Sequence, residues 1–219
     1  MKTALVFGAT GLTGKFLLNE LLGRNEYERV RVFVRKRLKQ THPKLEIIHF
    51  ETEELDHIKS LIKGDHLYCC VGTTIKKAGS QKKFREVDYL LPVKLAQIAL
   101  ENNIECMAII SALGADAHQH NFYLRTKGEM EEKILSMNLK RVVLARPSML
   151  LGPREESRPG ERLGQVAVNL LKPLLRGKLQ KYQGIQVEVL ARALVNLVNQ
   201  PLLEKQVFES DELQKWGKA

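Results

Sequence analysis

Tyr123 and Lys127 bracket the string Tyr123-Leu124-Arg125-Thr126-Lys127, a spacing that sets a phenol and an ammonium on one face of a helix. Upstream, the apolar run from Cys106 to Ile110 reads as a strand that delivers Ser111 to the carboxyl edge of a sheet, next to where Tyr123 should lie. A phenol can hand a proton to an oxygen, a neighbouring ammonium favours release of that proton, and a hydroxyl can hydrogen-bond a developing alkoxide. Around a hydride donor, this trio suits reduction of a carbonyl. The Tyr-Lys spacing by itself decides little in a chain with 5 tyrosines and 35 lysines and arginines, so the weight comes from its position after Ser111.

A site for the hydride donor is written at the start of the chain. The apolar run Ala4 to Phe7 leads into Gly8-Ala9-Thr10-Gly11-Leu12-Thr13-Gly14, and Lys15 to Leu22 continue at helical spacing. Such a strand, glycine turn and helix binds a dinucleotide. Gly8 makes the tight turn, Gly11 lets the main chain approach a pyrophosphate, and Gly14 lets the helix pack close to the strand. The helix amides and dipole then attract the phosphates. The end of the second strand selects between nicotinamide cofactors, because an acid there binds the ribose hydroxyls of NAD and a cation binds the 2′-phosphate of NADP. Val34 is followed by Arg35, Lys36 and Arg37 with no acid, so NADP(H) is expected, with Arg35 first and Lys36 or Arg37 in support. The same run also reads as a solvated basic turn.

The elements that must hold these residues alternate between short apolar strands and helical segments, the pattern of a parallel sheet wrapped by helices. Strands are expected over 4–7, 30–34, 45–50, 66–71, 106–111, 142–145 and 207–209, and helices over 13–22, 55–62, 89–101, 122–137, 162–175 and 187–199. Pro92 must either open its helix or kink it. The polar, proline- and glycine-rich segment from Gly152 to Gly164, with Arg158 near its centre, is a loop, read either as a lid over the carboxyl ends of the strands or as a plain linker. The expected fold is α/β, a Rossmann-type doubly wound parallel sheet with a small C-terminal helical substrate-side region. Residues 1–219 form one domain in this reading, with 152–219 contributing the substrate-side lid and helices.

The composition, 44% hydrophobic and 27% charged, is that of an ordinary folded domain, and no apolar run is long enough to span a bilayer. The apolar start is too short for a signal peptide, so a cytoplasmic protein without a membrane partner is expected. Cys69, Cys70 and Cys106 lie in strand-like runs and read as small buried hydrophobes, and His118 and His120 fall in a polar loop, so no metal is expected. The net charge of +10 suits an anionic cofactor. The basic clusters are not interleaved with aromatics, which argues against nucleic acid.

The glycine turn, Ser111 and Tyr123-X-X-X-Lys127 together resemble the short-chain dehydrogenase/reductase superfamily. Longer strings narrow the likeness: Cys70-Val71-Gly72-Thr73-Thr74, Lys77-Ala78-Gly79, Phe84 to Tyr89, Ser111 to Asp116, Tyr123 to Glu129, and Arg146-Pro147 through Glu156 to Glu161. They are similar to the atypical branch that includes the HIV Tat-interactive oxidoreductase-like proteins and their bacterial relatives, over the chain from Ala4 to about Leu163. The resemblance implies Ser111, Tyr123 and Lys127 as the catalytic set, with Lys127 also holding the nicotinamide ribose. It implies cofactor contacts from Thr10, Leu12 and Thr13 beside the three glycines, from Val71, Gly72 and Thr73 at the adenosine ribose, and from Pro147 past the carboxamide. Two positions depart from the pattern. Asp88 stands where most of the superfamily has an active-site asparagine, whose relay role is therefore not carried over. His49 stands where many relatives have an aspartate that contacts adenine, which leaves backbone contacts near Phe50. The resulting expectation is an NADPH-dependent reductase of a small carbonyl compound; the alternative is an NADPH-binding regulatory or redox-sensing protein with little turnover, working through a protein partner.

Overall fold

The computed structural model describes residues 1–153, 177–203 and 205–218. The expected helix over 162–175, and the loop beyond Pro153 that carries Arg158, lie outside the described residues. In chain order the strands are β1 (Lys2–Phe7), β2 (Tyr27–Val34), β3 (Leu45–His49), β4 (His66–Cys69), β5 (Cys106–Ile110), β6 (Val142–Arg146), β7 (Leu150–Leu151), β8 (Ile185–Gln186) and β9 (Val207–Glu209). Seven of them form one parallel sheet in the order β3-β2-β1-β4-β5-β6-β9, while β7 and β8 make a separate parallel pair. The chain runs outward from β1 to β3, then crosses back to lay β4 on the other side of β1. That reversal opens a crevice at the carboxyl ends of β1 and β4, where ligands bind in open sheets of this kind.

Both faces of the sheet are buried, which explains why the central strands read as nearly unbroken apolar runs. Alternate residues serve the two faces. Ala4, Val6, Val32, Ala108 and Val143 pack on one side with Leu17, Leu21, Leu190 and Leu194. Leu5, Phe7, Phe33, Leu67, Met107 and Leu144 pack on the other with Leu95, Ile98, Met130 and Ile134. The first face is covered by α1 (Leu12–Gly23) and by the late helix Val187–Val198, which lie against each other. The second is covered by α4 (Leu91–Glu101) and α5 (Phe122–Leu135). Two short helices, α2 (Ile75–Ala78) and α3 (Gln81–Arg85), precede α4; Val187–Val198 is α6, and Ser210–Trp216 is a terminal α7.

The helix expected over 55–62 is not formed; 3-10 turns occupy Thr52–Glu54 and Lys59–Leu61 instead. Side chains take the bonds a longer helix would use. Glu51 and Glu54 cap the first turn reciprocally, while Arg31 binds the Leu61 carbonyl at 2.7 Å and Asn102 that of Ile62 at 2.7 Å. Only Leu55 and Ile62 are deeply buried in this stretch, so packing does not demand a continuous helix.

At the opposite edge of the sheet from the crevice, the Tyr27 hydroxyl lies 2.7 Å from His66 Nδ1, 2.7 Å from the Tyr68 hydroxyl and 3.0 Å from Asn199 Nδ2. Burial, with Lys2 and Arg141 nearby, pushes the protonation of His66 down to about 3. The imidazole is therefore neutral, and its 4.0 Å approach to Glu105 is not an ion pair at neutral pH. The Tyr27 hydroxyl accepts from Asn199 and shares the other two bonds with the His66 ring nitrogen and the Tyr68 hydroxyl.

This burial has a pH signature. Below an ordinary histidine value of 6.5 the unfolded chain binds a proton that folded His66 refuses until about 3, so stability falls as pH is lowered through that window. Between pH 7.5 and 5.5 urea unfolding should show a loss of about 1.4 kcal/mol from this group. His66→Gln, less stable at pH 7.5, should lose correspondingly less over the same interval. Equal losses in the two proteins would contradict a neutral buried His66.

Candidate active site

The crevice is built by close backbone approach. Gly8, at the end of β1, has φ +86°, and a side-chain carbon there would fall 2.7 Å from the Cys70 carbonyl carbon, so the turn lies directly on the segment leaving β4. Its carbonyl accepts from the Gly11 amide at 2.9 Å, and a Cβ on Gly14 would sit 2.0 Å from that same oxygen. Gly11 caps α1 without a side chain, and the first turn of the helix holds no acid. The amides at this helix end are therefore unobstructed by a cap, in a form that fits an anionic group such as a pyrophosphate. Thr13 is buried beside them, whereas Thr10 is exposed.

Around the rim, Val34 is buried and Arg35, Lys36 and Arg37 are exposed at the end of β2. Phe50 places its ring in the core, edge-on to Phe7 at 5.6 Å, and its amide bonds the Val34 carbonyl at 3.1 Å. Val71, Gly72 and Thr73 follow β4 along the crevice. Pro147, just after β6, is buried, and its carbonyl accepts from the Leu113 amide at 3.0 Å, tying the loop that follows Ser111 to the next strand.

Ser111 stands one residue past β5, its amide bonded to the Ala145 carbonyl at 2.7 Å. It is 4% exposed, and its hydroxyl has no hydrogen-bond partner among the described residues. A buried hydroxyl without a partner costs free energy, and a ligand oxygen would satisfy it. α5 brings Lys127 to the same strand end, with Nζ 3.3 Å from the carbonyl of Ile110. Tyr123, one turn earlier and half-buried, sets its ring 5.7 Å from that of Phe84, and it interacts electrostatically with Lys127. The helix reaches this position because residue 128 is glycine. A Cβ there would lie 2.1 Å from the Asp116 carbonyl carbon and 2.2 Å from the Ala117 nitrogen.

Asp88, reached above only as a departure from a family pattern, is the direct partner of Lys127. Its Oδ1 is 2.8 Å from Nζ, both side chains are almost wholly buried, and Oδ2 accepts the Thr73 amide at 2.9 Å. Burial by itself would pull the lysine down, but Asp88 and Tyr123 more than offset it, so Lys127 is raised above its ordinary value and stays charged. Asp88 lies in a π turn, Glu86–Leu90, in which the Leu91 amide bonds back to Glu86. Pro92 accounts for that turn. In a regular helix its ring would meet the carbonyl of residue 88, and the widened turn relieves the clash. The sequence signal was therefore Pro92 four residues after Asp88, although the pairing with Lys127 cannot be seen from either residue alone.

A second pair, with a buried carboxylate and a partly exposed guanidinium, supports α5. Arg146 Nε lies 3.0 Å from each carboxylate oxygen of Glu131, which is 2% exposed. Burial pushes the Cys69 thiol up to about 11 and the Cys106 thiol up to about 12, and no cysteine among the described residues is in a disulfide. No group of residues that could hold a metal is found among the described residues. No helix among them is long and apolar enough to cross a membrane.

Comparison with known proteins bears on family and fold. Residues 8–201 match a family model described as NAD(P)H-binding. The chain is 36% identical over 171 residues to Protein HTATIP2 of Rattus norvegicus, covering 75% of this chain and 69% of that protein. It is 30% identical over 187 residues to Protein FMP52, mitochondrial, of Candida glabrata, covering 85% and 80%. Among solved structures, the Bordetella bronchiseptica enzyme WbmH in complex with NAD+ superposes with a TM-score of 0.72 at 18% identity, covering 95% of this chain and 75% of that one. A UDP-glucose 4-epimerase from Thermotoga maritima, solved with UDP-glucose, gives 0.72 at 14% identity, covering 99% and 81%. These structures share the Rossmann-type fold.

The packing at Gly128 can be tested without any ligand. Alanine is the better helix former, so Gly128→Ala would stabilise α5 if space allowed. The contact with Asp116 and Ala117 should instead make it less stable than the parent by about 1 to 3 kcal/mol in urea unfolding. Glu132→Ala, on the exposed face of the same helix, should stay within about 0.5 kcal/mol. A Gly128→Ala protein as stable as the parent would show that α5 does not depend on this approach.

Proposed function

The chain belongs to the NAD(P)H-binding family of atypical short-chain dehydrogenase/reductase-like proteins, and from that premise we propose that it is an NADPH-dependent reductase of a small carbonyl compound acting through Ser111, Tyr123 and Lys127. The observation that carries this reading is the convergence at the end of β5. Buried there are a charged lysine, the unpartnered hydroxyl of Ser111 and, one helical turn away, a half-buried phenol.

A nicotinamide cofactor held in the crevice would supply the hydride for the carbonyl carbon. Ser111 donates a hydrogen bond to the carbonyl oxygen and satisfies its own orphaned hydroxyl in doing so. Tyr123 gives its proton to that oxygen as the alcohol forms, and the phenol is restored by a proton from solvent. Lys127, anchored by Asp88 and the Ile110 carbonyl, holds the ribose and keeps the phenol in place. In this reading Gly8, Thr10, Gly11, Leu12, Thr13 and Gly14 cradle the pyrophosphate. Val71, Gly72 and Thr73 line the adenosine ribose, Phe50 contributes through its backbone, and Pro147 borders the carboxamide. Residues 1–219 act as one domain; the expected substrate-side role of the C-terminal part does not extend to Val187–Val198, which covers the sheet beside α1, or to β9, which belongs to the sheet. The location proposed is cytoplasmic, although the fungal relative carries "mitochondrial" in its name; cell fractionation decides between them.

NADPH is preferred over NADH because Arg35 and Lys36 are exposed at the end of β2 and, among the described residues, no carboxylate pairs with either. Arg35→Ala should weaken NADPH by about 1.5 to 3 kcal/mol, the range of a charge-assisted contact, and leave NADH nearly unchanged. Fluorescence titration of both cofactors against both proteins measures this. Superimposable NADPH and NADH curves for the parent would remove the preference.

The reaction is tested by following NADPH absorbance with quinones, aldehydes and small ketones. Tyr123→Phe should keep cofactor binding and lose turnover by roughly two to four powers of ten. Lys127→Ala should lose both, because the ammonium serves the ribose as well as the phenol. A protein that binds NADPH tightly, gains melting temperature from it, and shows no rate dependent on Tyr123 is a cofactor sensor and not a reductase.

A further inference from the structure

Each oxygen of the Asp88 carboxylate has a partner within the protein. One faces Lys127 at 2.8 Å and the other accepts the amide of Thr73 at 2.9 Å, on the segment proposed to border the cofactor. The side chain is 1% exposed, and the π turn before Pro92 fixes its backbone. An asparagine would keep the bond to Thr73 but could not neutralise the lysine. The acid therefore matters for its charge, beyond its shape.

Seen from Tyr123, that charge changes the field of the site. A lone ammonium one helical turn away would stabilise a phenolate. An ammonium in direct contact with a carboxylate presents little net charge, and the low-polarity surroundings leave few other groups to compensate. Those that face the pair from packed elements are Cys69 on β4, whose thiol burial pushes up to about 11 and so leaves neutral, and the Ile110 carbonyl at the end of β5. Around the phenol itself, Phe84 on α3 brings no charge. Arg85 is engaged by Glu129 and stacks over Tyr89, while Asp116 on the loop before α5 accepts the His118 amide.

We propose that Asp88 is a positioning residue that neutralises Lys127 and thereby sets how strongly the ammonium draws on the proton of Tyr123. The inference rests on the reading of Tyr123 as the proton donor. It deepens that reading, because the phenol is the group that hands its proton to the carbonyl oxygen, and a lysine whose charge is balanced by a carboxylate acts on that proton less than a lone one would. The reaction equilibrium is unchanged; Asp88 sets the pH range over which the donor form exists.

The test needs no substrate. Protein labelled with 13C at the tyrosine ζ carbon is titrated by NMR, with Tyr123→Phe identifying the resonance. In Asp88→Asn the Tyr123 titration should move to lower pH by one unit or more relative to the parent. In Lys127→Met, where the carboxylate is left alone, it should move to higher pH; this second variant serves if Asp88→Asn does not fold. A Tyr123 titration that stays where it was in the folded variants overturns the proposal. Where a carbonyl substrate supports turnover, the basic limb of kcat against pH should fall at least one unit earlier in Asp88→Asn with KM little changed, and a limb that does not move also overturns it. If the NMR shifts appear and no carbonyl compound is reduced, the role of Asp88 stands and the reductase reading falls.

Discussion

An ammonium buried away from water must be matched by charge and hydrogen bonds, and much of the architecture around Lys127 follows from meeting that demand. Desolvating a charge costs several kcal/mol, which a single well-placed counter-ion and a few fixed dipoles must offset. Here the counter-ion is Asp88, the dipole is the carbonyl of Ile110, and the carboxylate's second oxygen is satisfied by the Thr73 amide. Three segments far apart in sequence, the end of β4, the π turn before α4 and the middle of α5, are thereby held to one another and to the tip of β5. Removing either partner would leave the other as an uncompensated buried charge.

That pair can form only because backbone comes unusually close to backbone. Gly128 lets α5 settle on residues 116 and 117, and Gly8 and Gly14 let the first turn fold under the segment that leaves β4. Both approaches occur at the carboxyl edge of the parallel sheet, on either side of the crevice opened where the chain reverses direction between β3 and β4. Small residues at this edge and large apolar ones in the two core layers divide the work. The layers set the strand positions through Phe7, Phe33, Leu67 and Met107 on one side and Val6, Val32 and Ala108 on the other. The glycines then decide how closely helices approach the strand ends. The amino edge is closed differently, by the Tyr27, His66, Tyr68 and Asn199 network, which is buried polar structure remote from the crevice.

The family likeness and the site geometry bear on different questions. A match across residues 8–201 and a 36% identical relative establish descent and the binding of a nicotinamide dinucleotide as the family's property. The solved neighbours, at 14% to 18% identity, establish the fold, and the UDP-glucose of the Thermotoga maritima enzyme is a property of that protein. What the structure adds is local, a carboxylate paired with the lysine one helical turn from the phenol, and that is where the chemistry of the site is to be sought.

Much of the framework was legible in the residues themselves. Apolar runs of strand length alternating with helical periodicity determined a parallel sheet wrapped by helices, since only a sheet covered on both faces tolerates strands without polar alternation. The Gly8 to Gly14 spacing marked the first turn, and the chain order of Ser111, Tyr123 and Lys127 marked the edge of β5. Where local pattern and tertiary bonding disagreed, tertiary bonding won. The segment 55–62 has helical spacing, yet Arg31 and Asn102 capture its carbonyls and it makes two short turns. Pro92 announced a disturbed helix start, but whether the disturbance was a kink or a widened turn depended on what Asp88 had to reach. The pairing of Asp88 with Lys127, 39 positions apart, and of Glu131 with Arg146 belongs to the folded state alone. Side-chain charge is written in the sequence, but the distance and burial that turn two charges into one neutral pair exist only once β4, α4 and α5 have been packed against the same strand end.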